Sequence, residues 1–315
     1  MPRSKVDLEL LKLGERTAIA RAISLVENDE SEELLQAIHP LTGRCHRIGV
    51  TGPPGAGKST LSSRLAQHYR RQGLQVGIVA VDPTSPFSGG ALLGDRIRMA
   101  EVELDAGVFI RSMASRGSVG GLSRKTTEAV DVLDAAGKQI VIMETVGVGQ
   151  SELDIAGAAD CTLVVLVPES GDSIQAMKAG LMEIADLFVL NKADRAGADQ
   201  AVLALQMILH FRRDGGWKPG VLKTVASEGS GIQEVVSSIE QHRQFLGTGG
   251  RLQDRRRLRM EQRLRALVAG RLNEDFWNSR RSALLEKQLD AVMERRVSPY
   301  EAARALLADS PAGNP

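Results

Sequence analysis

Aromatic side chains make up only 3% of this 315-residue chain, so a surface for stacking the bases of a nucleic acid strand is not expected. The two cysteines, Cys45 and Cys161, stand far apart and neither belongs to a C-x-x-C pair. That leaves no disulfide framework and no thiolate metal site. There is no run of about 18 apolar residues and no signal-peptide-like apolar stretch at the N-terminus, which predicts a cytoplasmic protein with no membrane association. A net charge of +1 supplies no global pull toward nucleic acid or an anionic surface. What is present is ordinary for a globular chain, with 43% apolar residues, 25% charged residues, and room for one large domain with helical additions.

The most informative stretch is Gly52-Pro53-Pro54-Gly55-Ala56-Gly57-Lys58-Ser59-Thr60, which satisfies G-x-x-x-x-G-K-[ST] in full. Residues 47–51 before it are short and apolar in the middle, like a buried strand. Residues 61–71 after it lack Gly and Pro and read as a helix. A chance Gly-rich turn would not bring strand, pattern and helix into register together. Glycines let the backbone wrap so that successive N–H groups and a helix N-terminus converge on phosphate oxygens. Lys58 is expected to reach the β- and γ-phosphates and the Ser59 hydroxyl to bind Mg²⁺.

Further apolar segments at 75–81, 108–111, 139–143, 162–167, 186–190 and 221–225 alternate with helical patterns. The expected fold is α/β, a mostly parallel sheet with helices on both faces, as in P-loop NTPases, extended by helices at both ends. In such sheets ligands sit outside the carboxyl ends of the strands. Asp82 follows the second strand and so falls near the phosphates, although without the P-loop upstream a turn or helix-cap aspartate would be the favoured reading. A Gly/Ser/Pro-rich loop runs to Asp95, which either caps a helix over 96–104 or reaches Mg²⁺ directly or through water. A helix is expected over 123–136. The fourth strand ends in Glu144-Thr145-Val146-Gly147, a strand-end carboxylate followed three residues later by glycine. That spacing suits an acid on Mg²⁺ or its water and an N–H on the γ-phosphate, released on hydrolysis.

The sixth strand ends in Asn191-Lys192-Ala193-Asp194. A carboxylate at Asp194 accepts from guanine N1–H and its exocyclic amine together, whereas adenine leaves that acceptor unpaired. Asn191 is expected to tie loops together and the Lys192 stem to lie along the base. Val225, Ala226 and Ser227, after the seventh strand, are placed to meet guanine O6 through backbone N–H groups.

These readings divide the chain into a helical arm (1–43), a nucleotide domain (44–247), a C-terminal helical dimerisation region (248–308) and a tail (309–315). In the arm, Leu10, Leu11 and Leu13 form one expected apolar cluster, and Ala18, Ala22, Leu25 and Val26 fall at helical spacing. Near the C-terminus Leu264, Leu267, Val268 and Leu272 share a face that suits a dimer seam. The arginines between Arg251 and Arg281 read as a solvated helix side, or more sharply as a surface for an acidic partner. Ser298-Pro299-Tyr300-Glu301 reads as a capping box opening a last helix.

Taken together, GPPGAGKST (52–60), VDPTSPFSGGALLGDRIRM (81–99), SRGSVGGLS (115–123), ETVGVGQSE (144–152), PESGDSIQAMKAG (168–180) and NKAD (191–194) resemble the MeaB/ArgK family of methylmalonyl-CoA mutase-associated GTPases. The resemblance covers most of 47–232. It implies a Mg²⁺-dependent GTPase that docks on an adenosylcobalamin-dependent acyl-CoA mutase. There it gates cofactor delivery from a cobalamin adenosyltransferase and protects the mutase, binding no cobalamin itself. It further implies a homodimer joined by C-terminal helices, Mg²⁺ handled by Ser59, Asp82, Asp95 and Glu144, and a partner-sensing switch carrying Asp172, Gln175 and Lys178.

Hydrolysis is expected by in-line attack of water on the γ-phosphate, with Lys58, Glu144, Gly147 and Gln150 as the residues nearest the reaction. Val148 stands where some small GTPases keep glutamine, so intrinsic turnover should be slow and rise with a partner. Two other readings stand beside this one. A nickel or cobalt metallochaperone GTPase usually carries Cys/His clusters near the nucleotide, and here the five histidines and two cysteines are scattered. A P-loop kinase is disfavoured by N-K-x-D and by the missing Arg-rich lid.

Overall fold

The computed structural model describes residues 6–83, 99–115, 121–145, 151–170, 179–210 and 216–308. Three helices open the chain: α1 (Leu8–Lys12), α2 (Arg16–Glu27) and α3 (Glu32–Ile38). Strands and helices then alternate: β1 (His46–Thr51), α4 (Lys58–Arg71), β2 (Val76–Pro83), α5 (Ala100–Glu103), β3 (Val108–Ser115), α6 (Gly121–Ala135), β4 (Ile140–Glu144), α7 (Ser151–Ala158) and β5 (Cys161–Leu166). They continue with α8 (Ala179–Ile184), β6 (Leu187–Asn191), α9 (Ala198–His210), β7 (Gly220–Thr224) and α10 (Ile232–Gly247). The chain ends in α11 (Arg251–Phe276), α12 (Ser279–Met293) and α13 (Pro299–Ala308).

The strands form one parallel sheet in the order β3-β2-β4-β1-β5-β6-β7. β4 is inserted between β1 and β2, so the strand carrying Glu144 runs beside the one that feeds the phosphate loop. Strand side chains alternate between faces. Ile48, Val50, Ile140, Ile142, Leu163, Val165, Leu187 and Val189 face a core shared with α4 and α10. Val141 and Met143 face the opposite layer, with Ile19, Ile23 and Val26 of α2 and Val130 and Leu133 of α6. On that same opposite face Val164, Leu166, Phe188 and Leu190 meet Ala201 and Leu205 of α9. A sheet covered on both sides explains why its inner strands read as continuous apolar runs.

The N-terminal helices therefore complete a sheet face. Leu11 is fully buried, but Leu10 and Leu13 are 44% and 82% exposed, so the expected three-leucine cluster is a single anchor. On so short a helix one side reaches the core, and Leu10 and Leu13 project from the other.

Contacts divide the chain into two units, 1–256 and 257–315. Within the second, Ala291, Ala302 and Leu306 are buried. Its capping box forms as expected: Ser298 N–H donates to Glu301 Oε2 at 2.9 Å, and Glu301 N–H donates to Ser298 Oγ at 3.3 Å.

Candidate nucleotide site

The phosphate loop leaves the central strand at Thr51 and enters α4 at Lys58. Gly52 has φ +134°, and a Cβ there would stand 2.1 Å from the Val165 carbonyl oxygen, so the loop lies directly on the β5 backbone. Only glycine fits that position. Lys58 and Ser59 are buried, each 6% exposed. Lys58 Nζ donates to the carbonyls of Gly52 (2.9 Å) and Pro53 (3.0 Å), which curls the loop around its own ammonium.

Ser59 Oγ donates to Glu144 Oε1 at 2.6 Å. This contact follows from the sheet order, because Val50 of β1 and Ala80 of β2 both lie level with Glu144 of β4. One residue on, Thr51 Oγ1 and Thr145 Oγ1 are 3.0 Å apart, and Thr145 N–H donates to Val50 O at 3.1 Å. The first turn of α4 and the end of β4 are thus joined by short polar contacts. A hydroxyl and a carboxylate converging on one point form an all-oxygen donor set, the kind that hard divalent cations such as Mg²⁺ take. Asp82 is placed by its backbone two residues beyond Ala80, at the same edge of the sheet. Asp95, Gly147, Gln150, Asp172, Gln175 and Lys178 lie outside the described residues.

The base-side elements join the same loop. Asn191 is 3% exposed and commits its whole amide to the framework. Its Nδ2 donates to Ala56 O at 2.8 Å, while its Oδ1 accepts from Thr224 Oγ1 and from Ala226 N–H, both at 3.0 Å. Lys192 has φ +57°, a left-handed conformation rare for lysine, and its Nζ donates to Gly55 O at 2.8 Å. Asp194 is exposed at the end of this turn. In the next loop Val225 N–H donates to Ser230 O at 3.1 Å and Ala226 N–H is held by Asn191, which leaves Ser227 as the loop's amide toward a ligand.

The opposite, amino-terminal end of the sheet carries a second polar layer. Arg255 grips Asp186 through two bonds, at 3.1 and 2.9 Å, and Arg256 grips Asp160 at 3.3 and 2.9 Å. Helical periodicity alone puts both arginines on a solvated helix side. Aspartates that immediately precede two adjacent strands capture them instead. Among the described residues, one group of metal-ligand type is Cys161, Asp186 and His242. It sits in this layer rather than by the nucleotide, and Asp186 is already bound by Arg255 and by Thr162 N–H (2.8 Å). Burial raises the Cys161 thiol and lowers His242. A buried neutral thiol beside an arginine-paired carboxylate makes a packed polar core rather than a cation site.

The family model "Methylmalonyl Co-A mutase-associated GTPase MeaB" matches residues 19–281. A Pyrococcus abyssi protein is 49% identical over 306 residues, covering 95% of this chain and 94% of its own. GTPase ArgK of Escherichia coli K12 is 39% identical over 313 residues, 94% of this chain and 93% of its own. Among solved structures, an LAO/AO transport system kinase superposes with a TM-score of 0.74 at 34% identity, covering 96% of this chain and 95% of that one. With a P-loop on the central strand and N-K-x-D bonded to it, the chain belongs to the MeaB family of methylmalonyl-CoA mutase-associated GTPases, and it is a GTP-hydrolysing enzyme.

Proposed function

We propose that this GTPase binds Mg²⁺·GTP with the phosphates in 52–60 and the base at 191–194 and 225–227, and that it docks on an adenosylcobalamin-dependent acyl-CoA mutase. The observation that supports the first half is the bond from Asn191 to Ala56, which makes phosphate and base elements one frame. The second half rests on the description of the family whose model the chain matches.

In this reading Lys58 leaves the carbonyls of Gly52 and Pro53 to meet the β- and γ-phosphate oxygens, an exchange of one acceptor set for a more negative one. Ser59, Glu144 and the aspartates 82 and 95 hold Mg²⁺, which supplies positive charge to the phosphates when bound. Glu144 keeps the Ser59 hydroxyl aimed at that position. Asp194 accepts from the guanine N1–H and amine. Gly147 and Gln150 act at the γ-phosphate, and Asp172, Gln175 and Lys178 sense the partner.

The GTP cycle then gates delivery of the cobalamin cofactor from an adenosyltransferase and protects the mutase, and this chain holds no cobalamin of its own. Leu264, Leu267, Val268 and Leu272 are 41–64% exposed along α11, which supports a homodimer through the C-terminal helices. The test is GTP turnover by the chain alone and with a purified adenosylcobalamin-dependent mutase. Stimulated turnover is expected, and equal rates overturn the mutase reading while leaving the GTPase intact.

A second reading, phosphoryl transfer to a protein acceptor, is favoured only by the name of the solved relative. Transfer of label from γ-labelled ATP to protein would support it.

A further inference from the structure

Arg64 lies on the second turn of α4, beyond the phosphate loop, and its sequence context marks it as nothing more than a charged helix residue. In the fold its guanidinium crosses to the loop after β7. Nε donates to Ala226 O at 3.1 Å and Nη2 to Ser227 O at 2.8 Å, while Nη1 donates to Gln67 Oε1 at 3.1 Å. Two donors of one planar cation therefore fix two successive carbonyls against the phosphate-binding helix, and a third ties the cation to Gln67 of that helix.

The first of these carbonyls belongs to the peptide that joins Ala226 to Ser227. The N–H of that peptide is the Ser227 amide, the donor left over once Val225 N–H goes to Ser230 O and Ala226 N–H to Asn191 Oδ1. Across a planar trans peptide the C=O and N–H point in opposite directions, so a cation holding the oxygen sets where the N–H aims. A charge-assisted bond to the oxygen also polarises the amide and strengthens its donor end.

We propose that Arg64 is a positioning residue for base recognition: by gripping the Ala226–Ser227 peptide it orients and sharpens the N–H that meets the 6-position oxygen of guanine. It touches no part of the nucleotide and acts through the peptide alone. The second carbonyl, that of Ser227, keeps the peptide from rotating. The inference rests on the base site proposed above and adds to it the device that holds the 6-position donor in place.

The experiment is calorimetric binding of GTP, 6-thio-GTP, ITP and ATP, with Mg²⁺, to the full-length protein and to Arg64→Ala. 6-Thio-GTP keeps N1–H and the 2-amine but replaces O6 by a poorer acceptor. ITP keeps O6 and lacks the 2-amine that Asp194 accepts from. Arg64→Ala is expected to lose about three- to tenfold of the GTP preference over 6-thio-GTP, the span of one hydrogen bond, with the GTP preference over ITP unchanged. A general loosening of the fold would not move one ratio and spare the other. Arg64→Lys, which keeps a cationic donor, is expected to fall between wild type and Arg64→Ala. It carries the same comparison should the alanine variant fail to fold. The proposal is overturned if both ratios match wild type, or if they fall together. Equal binding of ATP and GTP by the wild-type protein would instead sink the base-site reading itself, before Arg64 is considered.

Discussion

Gly57 and Asn191 stand so close that a methyl group on the glycine would lie 2.3 Å from the asparagine Nδ2. The two belong to different motifs, far apart in the chain, yet each restricts the other. Gly57 also has φ +89° as the residue before α4. Gly55, two residues earlier, has φ +76°, and a methyl group added there would meet nothing within 4 Å. Alanine at Gly55 should therefore cost only the left-handed strain, roughly 1–2 kcal/mol. Alanine at Gly57 adds displacement of the Asn191 amide from Ala56 O, a further loss of about 1–3 kcal/mol. Urea unfolding of the nucleotide-free variants checks this, and equal losses would contradict the packing described.

Asp194→Asn tests the base contact from the ligand side. An amide in place of the carboxylate cannot accept from both N1–H and the 2-amine, but its NH₂ can donate to the 2-oxo group of xanthine. GTP affinity should fall about ten- to hundredfold, the span for losing a charged hydrogen-bond acceptor, and xanthosine triphosphate should gain. Competition binding with both nucleotides reads the exchange, and a loss of GTP binding without a gain for the xanthine nucleotide argues against the placement of Asp194.

How far the sequence foretells this arrangement depends on how local each feature is. The P-loop and N-K-x-D are each contiguous, so their residue types and spacing are legible along the chain itself. The alternation of apolar segments with helical patterns is equally legible, and it points to the parallel sheet covered on both faces. The insertion of β4 between β1 and β2 is not, because strand order is set by packing rather than by spacing along the chain. The same limit hides Arg64, Arg255 and Arg256. Their partners lie 162, 69 and 96 residues away, and an arginine on a helix looks the same whether it meets water or an aspartate. Leu10 and Leu13 show the converse error, where apolar identity suggests a cluster and helix geometry leaves both outside.

Ser59 and Glu144, 2.6 Å apart, give the metal prediction. Removing divalent cations with a chelator should abolish GTP turnover, and Mg²⁺ alone should restore it. Ser59→Ala deletes one oxygen and frees the Glu144 carboxylate from its aligned partner. The Mg²⁺ concentration for half-maximal turnover should then rise at least about tenfold. A Ser59→Ala enzyme with an unchanged Mg²⁺ requirement would remove Ser59 from the donor set.

His46 opens the sheet's central strand at its far end, 3% exposed, with its Nδ1 3.9 Å from Asp160 Oδ2. Burial lowers its pKa from 6.5 to about 4, against an opposing pull from Asp160. An unfolded chain takes up that proton near pH 6.5, whereas the folded one resists until about pH 4. Between these values the unfolded state binds more protons. The contribution of His46 is therefore complete above about pH 6.5 and is lost as the pH falls toward 4, by up to the order of 3 kcal/mol. Burial lowers His242 as well, so it pulls stability the same way. Ordinary aspartates and glutamates begin to take up protons at the lower end of this window, so the wild-type curve alone would not isolate the histidine. His46→Gln keeps a polar side chain of similar size that takes no proton. Its stability should vary less than that of wild type between about pH 7.5 and about pH 4.5. Parallel curves for the two proteins in chemical denaturation would show that His46 is not the group being protonated.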